Sequence, residues 1–291
     1  MAATVALLAN PRAGRGRGAR LADPVREALA AAGLRVVVLS GASGAESAAL
    51  ATDAVGSGVD AVVAVGGDGL VHCAVQAVAG TGVPLGIVPA GGGNDLAGFL
   101  GLPTDPADAV AVIAAGRTRD VDLGRTDRGT WWAGVLNAGF DSQVVARAER
   151  MRRPRGPLRY DLAAYLEIAN LRHHRMRITL DGVTTEQEVT LVAVGNSTRY
   201  GGGMLIAPGA DLTDGVFEVV VADAMTRATL VRLKPQVRAG THVRHPQVHV
   251  HRAATVTLDA PDLPAYADGE PIGVLPVTTT CVPAAMRVLV P

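Results

Sequence analysis

The chain has 291 residues, enough for two domains or one large one. It is 48% apolar but only 3% aromatic, so its core is built from Ala, Val and Leu, which suits a parallel sheet covered by helices. Lys plus Arg and Asp plus Glu are balanced at 27 each, and the zero net charge gives no global electrostatic case for nucleic acid.

In chain order, Thr4–Ala9 reads as a strand; it lacks the basic flank and length of a signal peptide. Arg20–Ala32 reads as a helix stopped by Gly33, Leu34–Leu39 as a strand and Ala45–Gly56 as a helix. Ala61–Val65 is a strand, Leu70–Ala79 a helix and Leu85–Val88 a strand, and the helix Ala107–Ala115 is stopped by Gly116. Such alternation predicts a doubly wound parallel sheet, whose ligands sit at the carboxyl ends of strands.

The texture changes after about residue 125. Trp131–Ala138, Arg175–Leu180, Glu188–Gly195, Val216–Val221, Gln247–His251, Thr255–Leu258 and Val277–Val282 read as strands of an antiparallel, sandwich-like second domain. Helices near Ser142–Met151 and Leu158–Leu171 interrupt it. Cys73 and Cys281 form no paired motif, which fits a reducing compartment, and charged residues, Gly and Pro break every apolar stretch before it reaches membrane-span length. A cytoplasmic protein, peripheral at most to a membrane, is expected.

Two glycine clusters carry the chemistry. Val62–Val65 runs into Gly66-Gly67-Asp68-Gly69, and Leu85–Pro89 runs into Ala90-Gly91-Gly92-Gly93-Asn94-Asp95. Each sets bare backbone amides beside a carboxylate, as a phosphate and its magnesium ion require. Asn10-Pro11-Arg12-Ala13-Gly14 follows the first strand but is neither a P-loop nor a dinucleotide fingerprint. Near the C-terminus, Tyr266-Ala267-Asp268-Gly269-Glu270 reads either as a hairpin turn or as a general base with a supporting acid.

Together these segments resemble the diacylglycerol kinase catalytic-domain family, the bacterial soluble lipid kinases related to sphingosine and ceramide kinases. The resemblance spans nearly the whole chain. It also takes in Asp120-Val121-Asp122-Leu123-Gly124, Asn137-Ala138-Gly139-Phe140-Asp141, Tyr200-Gly201-Gly202-Gly203, Ala207-Pro208, Asp214-Gly215 and the closing Val282–Leu289. It implies an NAD kinase-like α/β domain over 1–125, joined by the strand 280–291, and a lipid-binding β-sandwich over 126–279, with ATP between them. It further implies that Asn10, Gly66, Gly67, Asp68, Gly69, Gly91, Gly92, Gly93, Asn94 and Asp95 bind nucleotide. Asp68, Asp95 and Asp122 would surround magnesium, and Asp268, supported by Glu270, would take the proton from the lipid hydroxyl. Asp211, Asp214 and Val216 would hold a second, structural magnesium.

Three departures from the family pattern stand out: Leu70 and Gly92 each stand where a threonine is usual, and the pair His72-Cys73 replaces Asn-Glu. Two lost hydroxyl contacts would weaken ATP binding, each hydrogen bond to a charged group being worth roughly 1.5–3 kcal/mol.

Residues 147–177 hold nine arginines against three carboxylates, a local charge of +6. Leu158, Leu162, Tyr165, Leu166 and Ile168 lie on or near one helical face there. This reads either as a solvated helix or as a patch for an anionic membrane surface that admits the lipid substrate.

The reading is an ATP- and magnesium-dependent lipid kinase, with diacylglycerol the favoured acceptor. Sphingoid, ceramide or phosphatidylglycerol kinase, NAD kinase and a nucleotide- or lipid-binding pseudokinase are the alternatives. A homodimer is the candidate assembly. His242, His245, His249 and His251 have no acidic or cysteine partner completing a zinc set, and they read as surface or sandwich residues.

Overall fold

The computed structural model describes residues 2–9, 17–151, 153–154 and 157–291. The chain forms two compact units. The first comprises Met1–Leu123, Trp131–Ala133 and Val282–Pro291; the second comprises Gly124–Thr130 and Gly134–Cys281.

In the first unit, β1 (Thr4–Ala9), α1 (Arg17–Ala31), β2 (Arg35–Leu39), α2 (Gly44–Gly56), β3 (Ala61–Gly66), α3 (Asp68–Val78) and β4 (Leu85–Pro89) alternate as expected. The short α4 (Asp95–Phe99) and then α5 (Pro106–Ala115) follow. The strands lie parallel in the order β2-β1-β3-β4, with Leu7 opposite both Val38 and Val63, and Ala64 opposite Ile87. Every β3 residue is buried, the mark of a central strand covered on both faces. On one face Val5, Leu7, Val63 and Val65 pack with Val25 and Leu29 of α1 and Ile113 of α5. Helices α2 and α3 pack on each other and on β1 and β3.

Local signals explain the helix boundaries. The Ser43 hydroxyl caps α2 by accepting the Glu46 amide, while the Glu46 carboxylate accepts the Ala42 amide. Asp105 and Pro106 open α5, and Gly116 closes it in the left-handed conformation.

After β5 (Thr118–Thr126) and β6 (Trp131–Trp132), the second unit opens with β7 (Val135–Gly139), α6 (Phe140–Arg150) and α7 (Pro157–Ala169). Next come β8 (His174–Leu180), β9 (Val183–Gly195), β10 (Arg199–Tyr200), β11 (Met204–Leu205), β12 (Phe217–Asp223) and α8 (Arg227–Ala239). The last strands are β13 (Val248–Ala253), β14 (Thr255–Asp259), β15 (Pro264–Ala267), β16 (Glu270–Val274) and β17 (Val277–Leu289). The unit is antiparallel: β9 pairs with β8 through its first half, β7 through its second, and β12 on its other edge. Its core joins Leu191 and Ala193 of β9, Val220 of β12 and Leu233 of α8. The α/β-plus-β class expected from the sequence therefore holds.

The sequence signals missed β5, β10, β11 and α8, and they gave no strand ranges for β15 and β16, only the possible hairpin turn between them. Strand β5 begins with three exposed residues, α8 carries Pro235, and β16 carries Pro271 and Gly273, so periodicity is masked in each. Trp131–Ala138, expected as one strand, divides into β6 and β7.

Candidate functional site

In the first unit, β3 delivers its C-terminal glycine directly into α3, and Asp68 is the first residue of that helix. The Asp68 carboxylate reaches the second glycine cluster: Oδ2 accepts the Asn94 amide at 2.8 Å and Oδ1 the Asp95 amide at 2.7 Å. Asn94, left-handed with φ of 54°, folds back so that its Oδ1 accepts the Gly91 amide at 2.9 Å. One carboxylate thus ties together two strand-end loops.

The glycines are sterically required at two of these positions. A Cβ on Gly91 would sit 2.5 Å from Cα of Gly67 and 2.8 Å from Asn94 Oδ1, and one on Gly67 would sit 2.9 Å from Cα of Gly91. Gly92 differs, since its Cβ would meet nothing within 4 Å. The Gly91 constraint is therefore structural, whereas Gly92 leaves open space at the loop surface.

Burial raises the pKa of Asp68, and the negative charge of Asp95 raises it further, against hydrogen bonds from the backbone amides. The two carboxylates thus interact electrostatically where the two strand-end loops meet. Asp122 is 3% exposed, and its Oδ1 accepts the Ala284 amide at 2.8 Å, bracing a left-handed turn in β17. Among the described residues, no three His, Cys, Asp or Glu side chains form a metal-ligating group. Asp68 and Asp95 are thus brought together, while Asp122 has a structural partner in β17. Asn10 lies outside the described residues.

The family departures have physical counterparts. Leu70 is buried and packs over Gly66, where a Cβ would stand 2.7 Å from its Cδ2. His72 is buried beside Gln76, whose amide donates to the Trp131 carbonyl at 2.7 Å and accepts the Trp131 amide at 3.0 Å. These residues anchor α3 to β6.

In the second unit, Asp268 and Gly269 form a two-residue turn between β15 and β16, with φ of 54° and 82°. Two left-handed residues make the mirror-type turn that hairpins favour, so the hairpin reading is realised. The same turn presents a carboxylate: Asp268 Oδ1 accepts the Gly134 amide at 2.7 Å, and its own amide donates to Val135. Glu270 is exposed at the start of β16.

Around the remaining predicted metal loop, Asp211 accepts the amide and hydroxyl of Thr213. Asp214 accepts the Val216 amide through one oxygen and pairs with Arg252 through the other. A cation seated there would have to displace Arg252. Of the histidines, His242 is buried and bonds the Ile206 carbonyl, and His249 bonds Asp223.

One polar pair escaped the sequence reading. Asp141, on the first turn of α6, is half-buried and accepts the Tyr200 hydroxyl at 2.6 Å. Burial pushes its pKa up to about 6. Both residues lie in segments noted for resemblance only, and their pairing depends on long-range packing.

Comparison with known proteins accounts for both units. Residues 4–126 match the diacylglycerol kinase catalytic domain family, and residues 134–290 match the YegS C-terminal NAD kinase beta sandwich-like domain. A "Diacylglycerol kinase" of Mycobacterium tuberculosis is 42% identical over 295 residues, covering 99% of this chain and 95% of that protein. A "Probable lipid kinase YegS-like" of Stenotrophomonas maltophilia is 28% identical, covering 82% of this chain and 81% of that protein. In fold, a solved diacylglycerol kinase from Bacillus anthracis str. Sterne matches with a TM-score of 0.75 at 18% identity, covering 100% of this chain and 97% of that one. With its catalytic and C-terminal domains both matched and its identity to a relative spread over its length, the chain belongs to the diacylglycerol kinase-like lipid kinases, an ATP-using family.

Proposed function

We propose that this protein transfers the γ-phosphoryl group of ATP to a lipid hydroxyl, with diacylglycerol as acceptor and phosphatidic acid as product. The observation that carries the reading is the Asp68 carboxylate held by the amides of Asn94 and Asp95, where two glycine loops meet. Phosphoryl transfer asks the protein for positioning and charge stabilisation more than covalent chemistry. Backbone amides at Gly66, Gly67, Gly69, Gly92 and Gly93 cradle phosphate oxygens, Gly91, whose amide is held by Asn94 Oδ1, shapes the loop, and the N-terminus of α3 adds its positive end.

Asp68, Asp95 and Asp122 would hold magnesium, partly through water, and the ion would neutralise phosphate charge. Asp268 takes the proton from the lipid hydroxyl as the hydroxyl oxygen attacks the γ-phosphorus, the bond from that phosphorus to the β,γ-bridging oxygen breaks and ADP leaves, and Glu270 supports Asp268. The Gly134 amide fixes one Asp268 oxygen and so orients the carboxylate. The Asp214 carboxylate and the backbone carbonyls of Asp211 and Val216 would hold a second magnesium once Arg252 gives way.

Helix α7 supplies the contact with the lipid surface. Leu158, Leu162, Tyr165 and Leu166 follow helical spacing on one face, and Leu158 and Tyr165 are 67% and 58% exposed. Arginines around this exposed apolar stripe match an anionic membrane. Among the described residues, no helix is long and apolar enough to cross one.

The pseudokinase reading has a specific basis in Leu70, whose buried side chain offers no hydroxyl to a phosphate. One experiment separates the readings. Purified protein and its Asp268→Asn variant are incubated with labelled ATP, magnesium and micelles of diacylglycerol, ceramide, sphingosine or phosphatidylglycerol, and with NAD. Label in diacylglycerol that disappears in the variant is the expected result. ATP binding with no labelled acceptor would establish the pseudokinase.

A further inference from the structure

The second unit contains a cleft of about 510 Å³ that none of these roles uses. Helix α6 presents Gln143, Arg147 and Arg150 along one face, at i, i+4 and i+7. The packed helix α7 contributes Glu167, and Asn170 and Arg172 follow on the way into β8. The volume is that of a small-molecule site, but the lining is not the usual apolar one.

Its charge is unbalanced. Three arginines face one carboxylate, and Glu167 is already spent on Arg147, whose Nε donates to it. Among the described residues no carboxylate forms an ion pair with Arg150 or Arg172. Glu149, the acid next to Arg150 in sequence, instead accepts the Tyr266 hydroxyl at 2.9 Å. The surplus positive charge is felt next door. His174, hydrogen-bonded to Gln143 at 3.2 Å, has its pKa lowered by burial and then by the charges of Arg172 and His173.

An acyl chain seated here would strip water from two uncompensated guanidinium groups, whereas an anion would satisfy them. Guanidinium is planar, permanently charged and suited to paired hydrogen bonds with phosphate oxygens. Two surplus positive charges match one phosphate dianion, and the Gln143 and Asn170 amides can donate to its remaining oxygens.

We propose that the α6–α7 cleft is a phosphate-binding site, with Arg150 and Arg172 as its principal ligands and Arg147 held in place by Glu167. Its occupant is a phosphate group, carried either by a phospholipid headgroup or by a small soluble phosphate. The site is distinct from the phosphoryl-transfer residues, and binding can be read without ATP or turnover. Failure of the lipid-kinase reading would therefore leave it standing, and the reverse also holds.

The full-length protein is titrated with inorganic phosphate, followed by calorimetry and by the imidazole NMR signals of His174. The double variant Arg150→Gln/Arg172→Gln is compared with Arg227→Gln, a control on exposed α8, and with Arg150→Gln alone should the double variant fold poorly. Sedimentation with phosphatidylcholine vesicles, with and without phosphatidic acid, is run in parallel, with phosphate as competitor. The expected result is binding weakened at least tenfold in the double variant and unchanged in the control, with the His174 pKa rising as the site fills. Vesicle binding that needs Arg150 and Arg172 and is competed by phosphate identifies the headgroup as the source. Phosphate binding that needs them, without such vesicle dependence, identifies a soluble phosphate. If neither phosphate nor vesicle binding depends on Arg150 and Arg172, the proposal is overturned.

Discussion

Asp68 Oδ1 accepts the backbone amide of Asp95 at 2.7 Å, so the first residue of one helix secures the first residue of another across 27 positions of sequence. The contact joins structure to chemistry, because the same carboxylate is the proposed metal holder. Asp68→Ala removes two charge-assisted hydrogen bonds and leaves two loop amides without their acceptor. A stability loss of about 2 kcal/mol or more is expected, together with a fall in phosphoryl transfer of about 100-fold or more. Urea denaturation and single-turnover assays measure the two effects separately. An Asp68→Ala protein that phosphorylates lipid at the wild-type rate would refute the assignment.

Gly91 and Gly92 should respond in opposite ways although they are adjacent. Gly91→Ala drives a Cβ against the Gly67 backbone and should cost about 1–3 kcal/mol in thermal or urea unfolding. Gly92→Thr enters open space and should shift stability by no more than about 0.5 kcal/mol. It also restores a hydroxyl at the family's usual threonine position, so the KM for ATP should fall roughly tenfold. An unchanged KM in a normally folded Gly92→Thr protein would show that the hydroxyl has no phosphate to meet.

Asp141 makes stability pH-dependent in a definite direction. Its carboxyl keeps its proton up to about pH 6 in the folded chain, against an ordinary value of 3.8. The folded state therefore binds the extra proton between those values, and stability falls as pH rises from about 4 to 6. Converted by linkage, the shift corresponds to about 3 kcal/mol. Asp141→Asn keeps an oxygen for the Tyr200 hydroxyl but carries no charge. The variant should gain on the wild type as pH rises from 4 to 7 in urea denaturation. A difference that stays constant over that range would rule out a buried charge as the cause.

The exposed face of α7 predicts a membrane phenotype separable from catalysis. Leu158→Glu and Leu162→Glu should each weaken partition to anionic vesicles by about tenfold or more, through lost apolar burial and added negative charge. Phosphorylation of a water-soluble short-chain diacylglycerol should be unaffected. Equal loss with soluble and vesicle-borne acceptor would place these residues elsewhere in the reaction.

Much of this protein is legible in its sequence, for a local reason. In the first unit, strand and helix periods alternate, and glycine, proline and capping residues mark their ends within a few positions. The elements from β1 to β4, and α5, are accordingly recognisable, apart from a shift of a residue or a few at their ends. The glycine clusters were visible because they combine bare backbone with a carboxylate over a short span.

Long-range contacts are a different matter. No local pattern announces that Asp68 will bond the amides of Asn94 and Asp95, that Gly91 is needed because Gly67 lies against it, or that Leu70 packs over Gly66. Asp141 becomes a carboxylic acid with a pKa of about 6 only because folding buries it beside Tyr200, 59 residues away. Likewise, the arginines of residues 147–177 were readable as surplus charge, but not as the walls of a cleft. Sequence determines which groups and local periods are present. Tertiary packing decides which charges lose water and which find partners, because desolvation and hydrogen bonding depend on distance in space and not on separation along the chain.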